Sequence, residues 1–364
     1  MKKRILLITN MYPSKRFPHY GVFVKNTENV LIEHGYNIQR ICLHKMSGKI
    51  EKIIKYTMFN IRIIFSIICG KYDFIYAHYA SHTALPIILA KRFVKKPLIV
   101  NVHGNDVIPE TKADEKYLPL TQKLLTLANI VVSPSQYFAN LLNKRYNISV
   151  EKIKIYPSGG IDTDLFQKMD KLPALKRLNL SPDYRYIGYV SRIEKNKGWD
   201  IFLEACASIG EKYDDIRFVV VGDGDEVDLY NSKVEALGLK DKIIKFDLIK
   251  QDDMVFVFNA LDVFVFPTYR VSESLGLVGL EAMACETITV LPDKYGPASY
   301  GIHEKNSYVF KSGCAVSLKS CIDSAINNML SDMPQKARKT ALLYKKDKVN
   351  QLLLDIFKKL EMVN

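Results

Sequence analysis

Two carboxylates, Glu273 and Glu281, stand eight residues apart in Phe266–Cys285, which reads FPTYRVSESLGLVGLEAMAC. An apolar run ends at Phe266–Pro267, a polar stretch follows, and helical character begins near Gly276. Glu273 therefore belongs to a loop and Glu281 to the helix after it. A helix start carries unpaired N–H groups and the positive end of the dipole, which suits an anion such as a diphosphate. Carboxylates flanking that anion must do something other than bind phosphate, and accepting hydrogen bonds from sugar hydroxyls fits them best. Two other readings stand beside this one. Glu273 could cap the helix with Glu281 on an exposed face, or the two could form a glycosidase pair. One loop–helix junction cannot flank a scissile bond from both sides, which counts against the second.

Arg192 and Lys197 follow the apolar run Tyr186–Val190 in a strand-to-helix loop. Two cations there can neutralise a diphosphate and stabilise it as charge develops on departure; the plain alternative is a solvated charged loop that includes Lys195. His103 ends the run LIVNVH and enters Gly104-Asn105-Asp106. No second His or Cys stands at ligand spacing, so metal ligation is not expected of it. Two D-x-D triplets, Asp162-Thr163-Asp164 and Asp223-Gly224-Asp225, fall in turns and are assigned no metal. No G-x-G-x-x-G opens either half, which argues against a dehydrogenase.

These residues need a scaffold, and the chain repeats one rhythm that supplies it. Short apolar runs alternate with longer amphipathic segments. In the first half the runs are Ile5–Thr9, Ile38–Leu43, Phe74–His78, Leu98–His103, Ile130–Ser133 and Ile153–Tyr156; in the second they are Tyr186–Val190, Arg217–Val221, Ile243–Phe246, Val263–Pro267 and Thr287–Leu291. Such runs predict parallel strands covered by helices on both faces, in two α/β doubly wound domains. Ligands then sit beyond the carboxyl ends of the strands, and a cleft between the domains is the natural place. The linker is expected within 166–183, where LPALKRLNLSPD holds two prolines and no strand signal. The expected domains are 1–170 and 171–345. A closing amphipathic helix over 346–364 carries Val349, Leu352, Leu353, Ile356 and Leu360 on its apolar side, and could pack back on the first domain.

With 364 residues the chain has room for two such domains. Residues 1–165 hold 24 Lys and Arg against 11 Asp and Glu, so the whole net charge of +13 lies in the first half. That half is expected to meet an anionic surface. No recognised nucleic-acid module appears, leaving an anionic membrane leaflet as the partner. The segment Lys49–Lys71, KIEKIIKYTMFNIRIIFSIICGK, is basic at its start and strongly apolar later. It reads either as a helix packed on the first sheet or as one whose exposed part, with the cluster Lys91–Lys96, docks on that leaflet. Six scattered cysteines with no CxxC pair suggest reduced thiols and a cytoplasmic setting. The opening MKKRILLITN reads as a first buried strand, its apolar run being too short for a signal peptide.

ESLGLVGLEAMAC resembles the E-x7-E signature of glycosyltransferase family 4, a retaining family built on the GT-B fold, with two Rossmann-like domains facing across a cleft. The resemblance runs through nearly the whole chain. VSRIEKNKGWDIFLEA is similar to the family's GR-x-x-x-x-KG phosphate segment, VVVGDGDE to its glycine turn, YPSGGIDTDLF to the turn entering its linker, and VNVHGND to its histidine loop. The resemblance implies that Glu281 holds ribose hydroxyls and Glu273 the donor sugar's hydroxyls. It also implies that backbone N–H groups around Leu275, Gly276 and Leu277, with Ser274, contact phosphate or sugar, and that His103 positions and polarises the donor beside Arg192 and Lys197. The reaction implied moves a sugar from a UDP- or GDP-activated donor to a saccharide or lipid-linked saccharide, without metal or other cofactor. Bacterial surface polysaccharide synthesis, on the inner face of the plasma membrane, is the expected setting. The alternatives are a sugar-nucleotide epimerase on the same fold and a non-catalytic membrane-associated scaffold. The loop NMYPSKRFPHYGVFVKN lacks the family's paired glycines and resembles a subgroup whose long loop faces the acceptor. Gly21, Arg16, His19 and Tyr20, with Asn105 and Asp106, are the acceptor-side expectations. Glu286-Thr287 replaces the family's usual Gly-Pro.

Overall fold

The computed structural model describes residues 3–329 and 331–363, which form two compact units: 1–159 with 349–364, and 160–348. The boundary precedes the expected 170/171. Residues of the expected linker instead build the helix Lys171–Arg177, which buries Ala174 and Leu175 against the helix Met254–Ala260. Pro173 lies in its first turn, where no intrahelical N–H bond is lost, so the proline that signalled a break is tolerated.

In the first unit six parallel strands, β1 (Arg4–Thr9), β2 (Asn37–Cys42), β3 (Phe74–His78), β4 (Leu98–Asn101), β5 (Ile130–Ser133) and β6 (Ile153–Ile155), lie in the order β2-β1-β3-β4-β5-β6. One face packs under α2 (Lys49–Cys69), α3 (Ala80–Lys91) and the helices 118–127 and 136–146. The other face packs under α1 (Val22–Glu33) and the C-terminal helix Lys346–Val363. That last helix is held by Phe357, whose fully buried ring meets Phe74, Tyr76 and Tyr36. Burying a phenylalanine contributes up to about 3 kcal/mol. Leu352, expected on the apolar side, is 45% exposed, and Leu354 takes its place in the core.

In the second unit β7 (Arg185–Val190), β8 (Ile216–Val221), β9 (Ile243–Phe246), β10 (Val263–Val265), β11 (Ile288–Pro292) and β12 (Tyr308–Phe310) lie in the order β12-β11-β10-β7-β8-β9, all parallel. The expected runs match these strands within about two residues. β12 was not expected, because three residues within NSYVFKSG are too short a run to signal a strand. The six-stranded parallel sheets with flanking helices are an α/β, GT-B architecture.

Candidate active site

The second unit carries a pocket of about 400 Å³ at the carboxyl ends of its strands. Its wall combines the turn after β7 (Ser191, Arg192, Lys197), the turn after β8 (Gly222, Asp223), the loop after β9 (Asp247–Ile249, Gln251) and the start of the helix Leu277–Ala284. Main-chain bonds set these turns. Ser191 N–H donates to the Val221 carbonyl at 3.1 Å and Ile193 N–H to the Asp223 carbonyl at 3.0 Å, so the cationic turn is bound to its neighbour. The buried side chain of Ile193 fixes it in the core.

The helix Leu277–Ala284 starts at Gly276, whose backbone has φ 80° and ψ 59°. Only glycine adopts that conformation at little cost, and a Cβ there would lie 2.6 Å from the Phe266 ring. Tyr300 Oη donates to the Gly276 carbonyl at 2.8 Å and pins the turn from behind. The first-turn N–H groups of this helix border the pocket through Gly276, Leu277 and Val278. Leu277 and Glu281, four residues apart, share the face that lines it.

The expected donor residues are mostly brought together. Arg192, Lys197, Glu273, Gly276, Leu277 and Glu281 all line this pocket. Ser274 and Leu275 are not among its lining residues; the Leu275 side chain, 1% exposed, packs in the apolar core, whereas the contact expected of this stretch is through its backbone N–H groups. Lys197 and Glu273 form an ion pair at 2.7 Å, their side chains 10% and 12% exposed. Thr268 Oγ1 donates to the same carboxylate oxygen at 3.3 Å. Glu273 is therefore no helix cap; its carboxylate is spent on Lys197 and Thr268, and a sugar hydroxyl would join that group. Arg192 is largely exposed at the mouth and pairs with Glu194 at 2.5 Å.

Glu281 is the half-buried acid of the set, not an exposed helix position. Burial pushes its carboxyl up to about 7, against a modest downward pull from Gln251, whose amide donates to it at 2.9 Å. An acid in that range is ready to accept hydrogen bonds that favour its charged form. Gln251 and Thr268 escaped the sequence reading, since an isolated Gln or Thr in a loop carries no periodicity or spacing signal.

The D-x-D triplets serve the fold. Asp162 Oδ1 accepts the N–H groups of Asp164 and Leu165 at 3.1 and 3.0 Å, and Asp164 pairs with Lys345 at 3.0 Å. Asp223 holds its turn through its carbonyl.

In the first unit His103 lies two residues beyond the end of β4, not within the strand. Its ring is flanked by Phe23 at 4.6 Å and Tyr79 at 5.2 Å between centroids, and its Nε2 lies 3.0 Å from His78 Nδ1. The two imidazole planes differ by 13°, so the bond runs edge to edge between nearly coplanar rings. Burial lowers the His103 pKa to about 3 and that of His78 well below its usual value, so both rings are neutral. One ring must then donate to the other. His78 Nε2 is buried and finds no hydrogen-bond partner among the described residues. An unpaired N–H there costs more than a bare lone pair, which places the proton on His78 Nδ1. His103 in turn keeps its own proton on Nδ1, as a neutral donor. His78 closes β3, and its place beside His103 follows from β3 pairing with β4, which linear spacing does not show.

Asp106 is not an acceptor-side group. It is 2% exposed, and its two oxygens accept the N–H groups of His103, Gly104 and Ala80 at 2.9–3.0 Å, so it shapes the histidine loop. Gly21 is likewise structural: it starts α1 with φ 74°, and a Cβ would lie 2.6 Å from the Met11 backbone. Asn105, Arg16 and His19 are exposed, and Tyr20 is partly buried with its hydroxyl pKa raised by burial. The loop of Arg16, His19 and Tyr20 is held at its base by Tyr12, Glu28 and Arg40, joined at 2.5–2.9 Å.

Known proteins share this plan. Residues 171–342 match the family model for glycosyl transferases group 1, and residues 20–165 match that for glycosyltransferase family 4. The D-inositol 3-phosphate glycosyltransferase of Stackebrandtia nassauensis is 26% identical over 75% of this chain and 63% of its own. The chain spans less than two-thirds of the length of the curated relatives it matches. Among solved structures, the sucrose-phosphate synthase of Thermosynechococcus elongatus superposes with a TM-score of 0.82 at 17% identity, covering 100% of both chains. The Anabaena protein HepE in complex with UDP-glucose gives 0.76 at 16% identity, covering 98% of this chain and 99% of its own. With both units matched, each by its own model, the chain belongs to glycosyltransferase family 4.

Proposed function

We propose that the protein transfers a sugar from a UDP- or GDP-sugar to a saccharide or lipid-linked saccharide acceptor, with retention at the anomeric carbon. The observation that carries this is the meeting of Lys197, Glu273 and Glu281 with a helix start in one pocket of the second unit. The UDP-glucose bound by the structural neighbour supports the donor class. In this reading Glu281 accepts the ribose hydroxyls and Glu273 a hydroxyl of the donor sugar. Arg192, Lys197 and the helix N–H groups meet the diphosphate charge, so no metal ion or other cofactor is invoked. The C1–O bond to the diphosphate breaks and the acceptor oxygen bonds to C1 on the same face. The acceptor proton passes to the departing diphosphate oxygen. His103, as a neutral N–H donor, orients the sugar without itself exchanging a proton. Synthesis of a bacterial surface polysaccharide, at the cytoplasmic face of an anionic membrane, is the proposed setting.

Glu273→Gln tests the assignment more cleanly than Glu273→Ala. Removing the side chain leaves Lys197 buried and unpaired, at about 3–5 kcal/mol, and loss of activity would then follow from unfolding alone. The glutamine keeps an acceptor for Lys197. Expected are a folded protein, a thermal shift with UDP- or GDP-sugars in the parent, and turnover lowered about a hundredfold or more in the variant. Unchanged turnover would remove Glu273 from the mechanism, and a product of inverted configuration would overturn the retaining reading.

A further inference from the structure

We infer that α2 and the end of α3 form an in-plane docking face for an anionic lipid bilayer, with one stripe of α2 inserted into the interface. The sequence allowed α2 to be an ordinary packed helix, and the structure divides its apolar residues into two sets. Phe59, Ile63 and Ile67 are buried on the sheet. Ile50, Ile54, Met58, Ile61, Phe65 and Ile68 are exposed by 44–75%. Their spacing of three and four residues is that of one helix face, and with Ile53 they span an arc of about 140° at 100° per residue. Phe93, 75% exposed, stands just past α3, with Leu85 and Leu89 exposed along α3 itself. α2 and α3 pack against each other, so these groups belong to one region of the first unit.

An apolar stripe about 27 Å long, from Ile50 to Ile68, exceeds what a monomer ordinarily leaves in water. Charge selects the occupant. Arg62 borders the stripe on α2, as does Lys55, which pairs with Glu51 at 2.6 Å, and the exposed Arg92, Lys95 and Lys96 flank Phe93 in sequence; Glu51 is the one acidic residue of α2, against Lys49, Lys52, Lys55 and Arg62. Two copies meeting through this face would set like charges against like, whereas an anionic leaflet meets both the apolar stripe and its basic border. Among the described residues no helix is long and apolar enough to cross a membrane, which leaves a helix lying in the interface as the mode of contact. The N-terminal ends of α2 and α3 lie at the carboxyl edge of their sheet, the edge that carries His103. A protein lying along this face would have both edges of that sheet alongside the membrane, the edge with His103 at the start of α2 and Phe93 toward the other.

This deepens the membrane setting proposed above, and binding can be measured without turnover. The full chain is co-sedimented with phosphatidylcholine vesicles with and without phosphatidylglycerol, at low and high salt, beside the triple variant Ile54→Ser/Ile61→Ser/Phe65→Ser. The parent should bind the anionic vesicles, less so in high salt. The triple variant should bind on the order of a hundredfold more weakly, from the loss of three inserted side chains. Its thermal midpoint should not fall, because none of the three is in the core. Equal binding by the variant, or no binding by the parent, overturns the inference. So does a parent dimer in sedimentation equilibrium that the triple variant abolishes, which would assign the face to a second copy. A parent that binds vesicles but shows no thermal shift with UDP- or GDP-sugars supports the docking face and overturns the donor reading instead.

Discussion

If Glu281 holds ribose hydroxyls, nucleotide affinity should rise through the titration of that one group. Burial pushes its carboxyl up to about 7 from an ordinary value of 4.5, against the opposing pull of the Gln251 amide. Ribose hydroxyls donate to the charged form, so binding requires the proton to leave. For a group at 7, about one molecule in a hundred is ionised at pH 5 and nine in ten at pH 8. Affinity for the nucleoside diphosphate should therefore be about a hundredfold weaker at pH 5 than at pH 8 from this group alone. Glu281→Gln removes the titration and keeps the shape, so the difference between the two pH profiles isolates Glu281 from the ligand's own phosphate protons. Stability gives an independent reading. A folded-state pKa raised above the unfolded value contributes stability that is fully present below pH 4.5 and lost as pH rises through 7, by up to about 3 kcal/mol. Glu281→Gln should remove that slope. Titration calorimetry and urea unfolding across pH 5–8 measure both effects. Parallel profiles for parent and variant would refute a ribose-binding carboxylate at 281.

Glu286 adopts φ 59°, where the family usually places glycine, and its pair with Lys168 at 3.2 Å reaches a lysine that is 60% exposed. The left-handed backbone costs about 1–2 kcal/mol and so exposed a pair returns little, so Glu286→Gly should raise stability by about 1 kcal/mol; a lower urea midpoint would count against this. His78→Phe removes the donor that sets the His103 tautomer and should lower kcat at least tenfold with KM for the acceptor little changed. His78→Asn, whose amide can occupy the Nδ1 position, should recover much of that loss, and equal activity in both variants would exclude a positioning role. Prolonged EDTA treatment should leave the initial rate unaltered; loss restored by Mg²⁺ or Mn²⁺ would require a metal in the proposed reaction.

The parallel strands were legible because apolar runs such as Phe74–His78 and Ile130–Ser133 are buried on both faces, and burial of that kind needs unbroken hydrophobicity. The E-x7-E spacing, with Gly276 between its members, was legible for a related reason: it is local, and a helix start holds its geometry over a few residues. Interactions between distant segments were not. Nothing in the order of residues shows that Lys197 is spent on Glu273, 76 positions away, or that His78 closes on His103. Asp106 looked like a polar group available to a ligand, and three backbone N–H groups claim it. The apolar content of Lys49–Cys69 was evident from composition, but which of its faces meets the sheet depends on where α3 and the strands lie. Sequence alone determined the period and the chemistry of each segment. Tertiary structure decided which polar groups were already paired and which apolar face was left to water, because both depend on neighbours that only folding supplies.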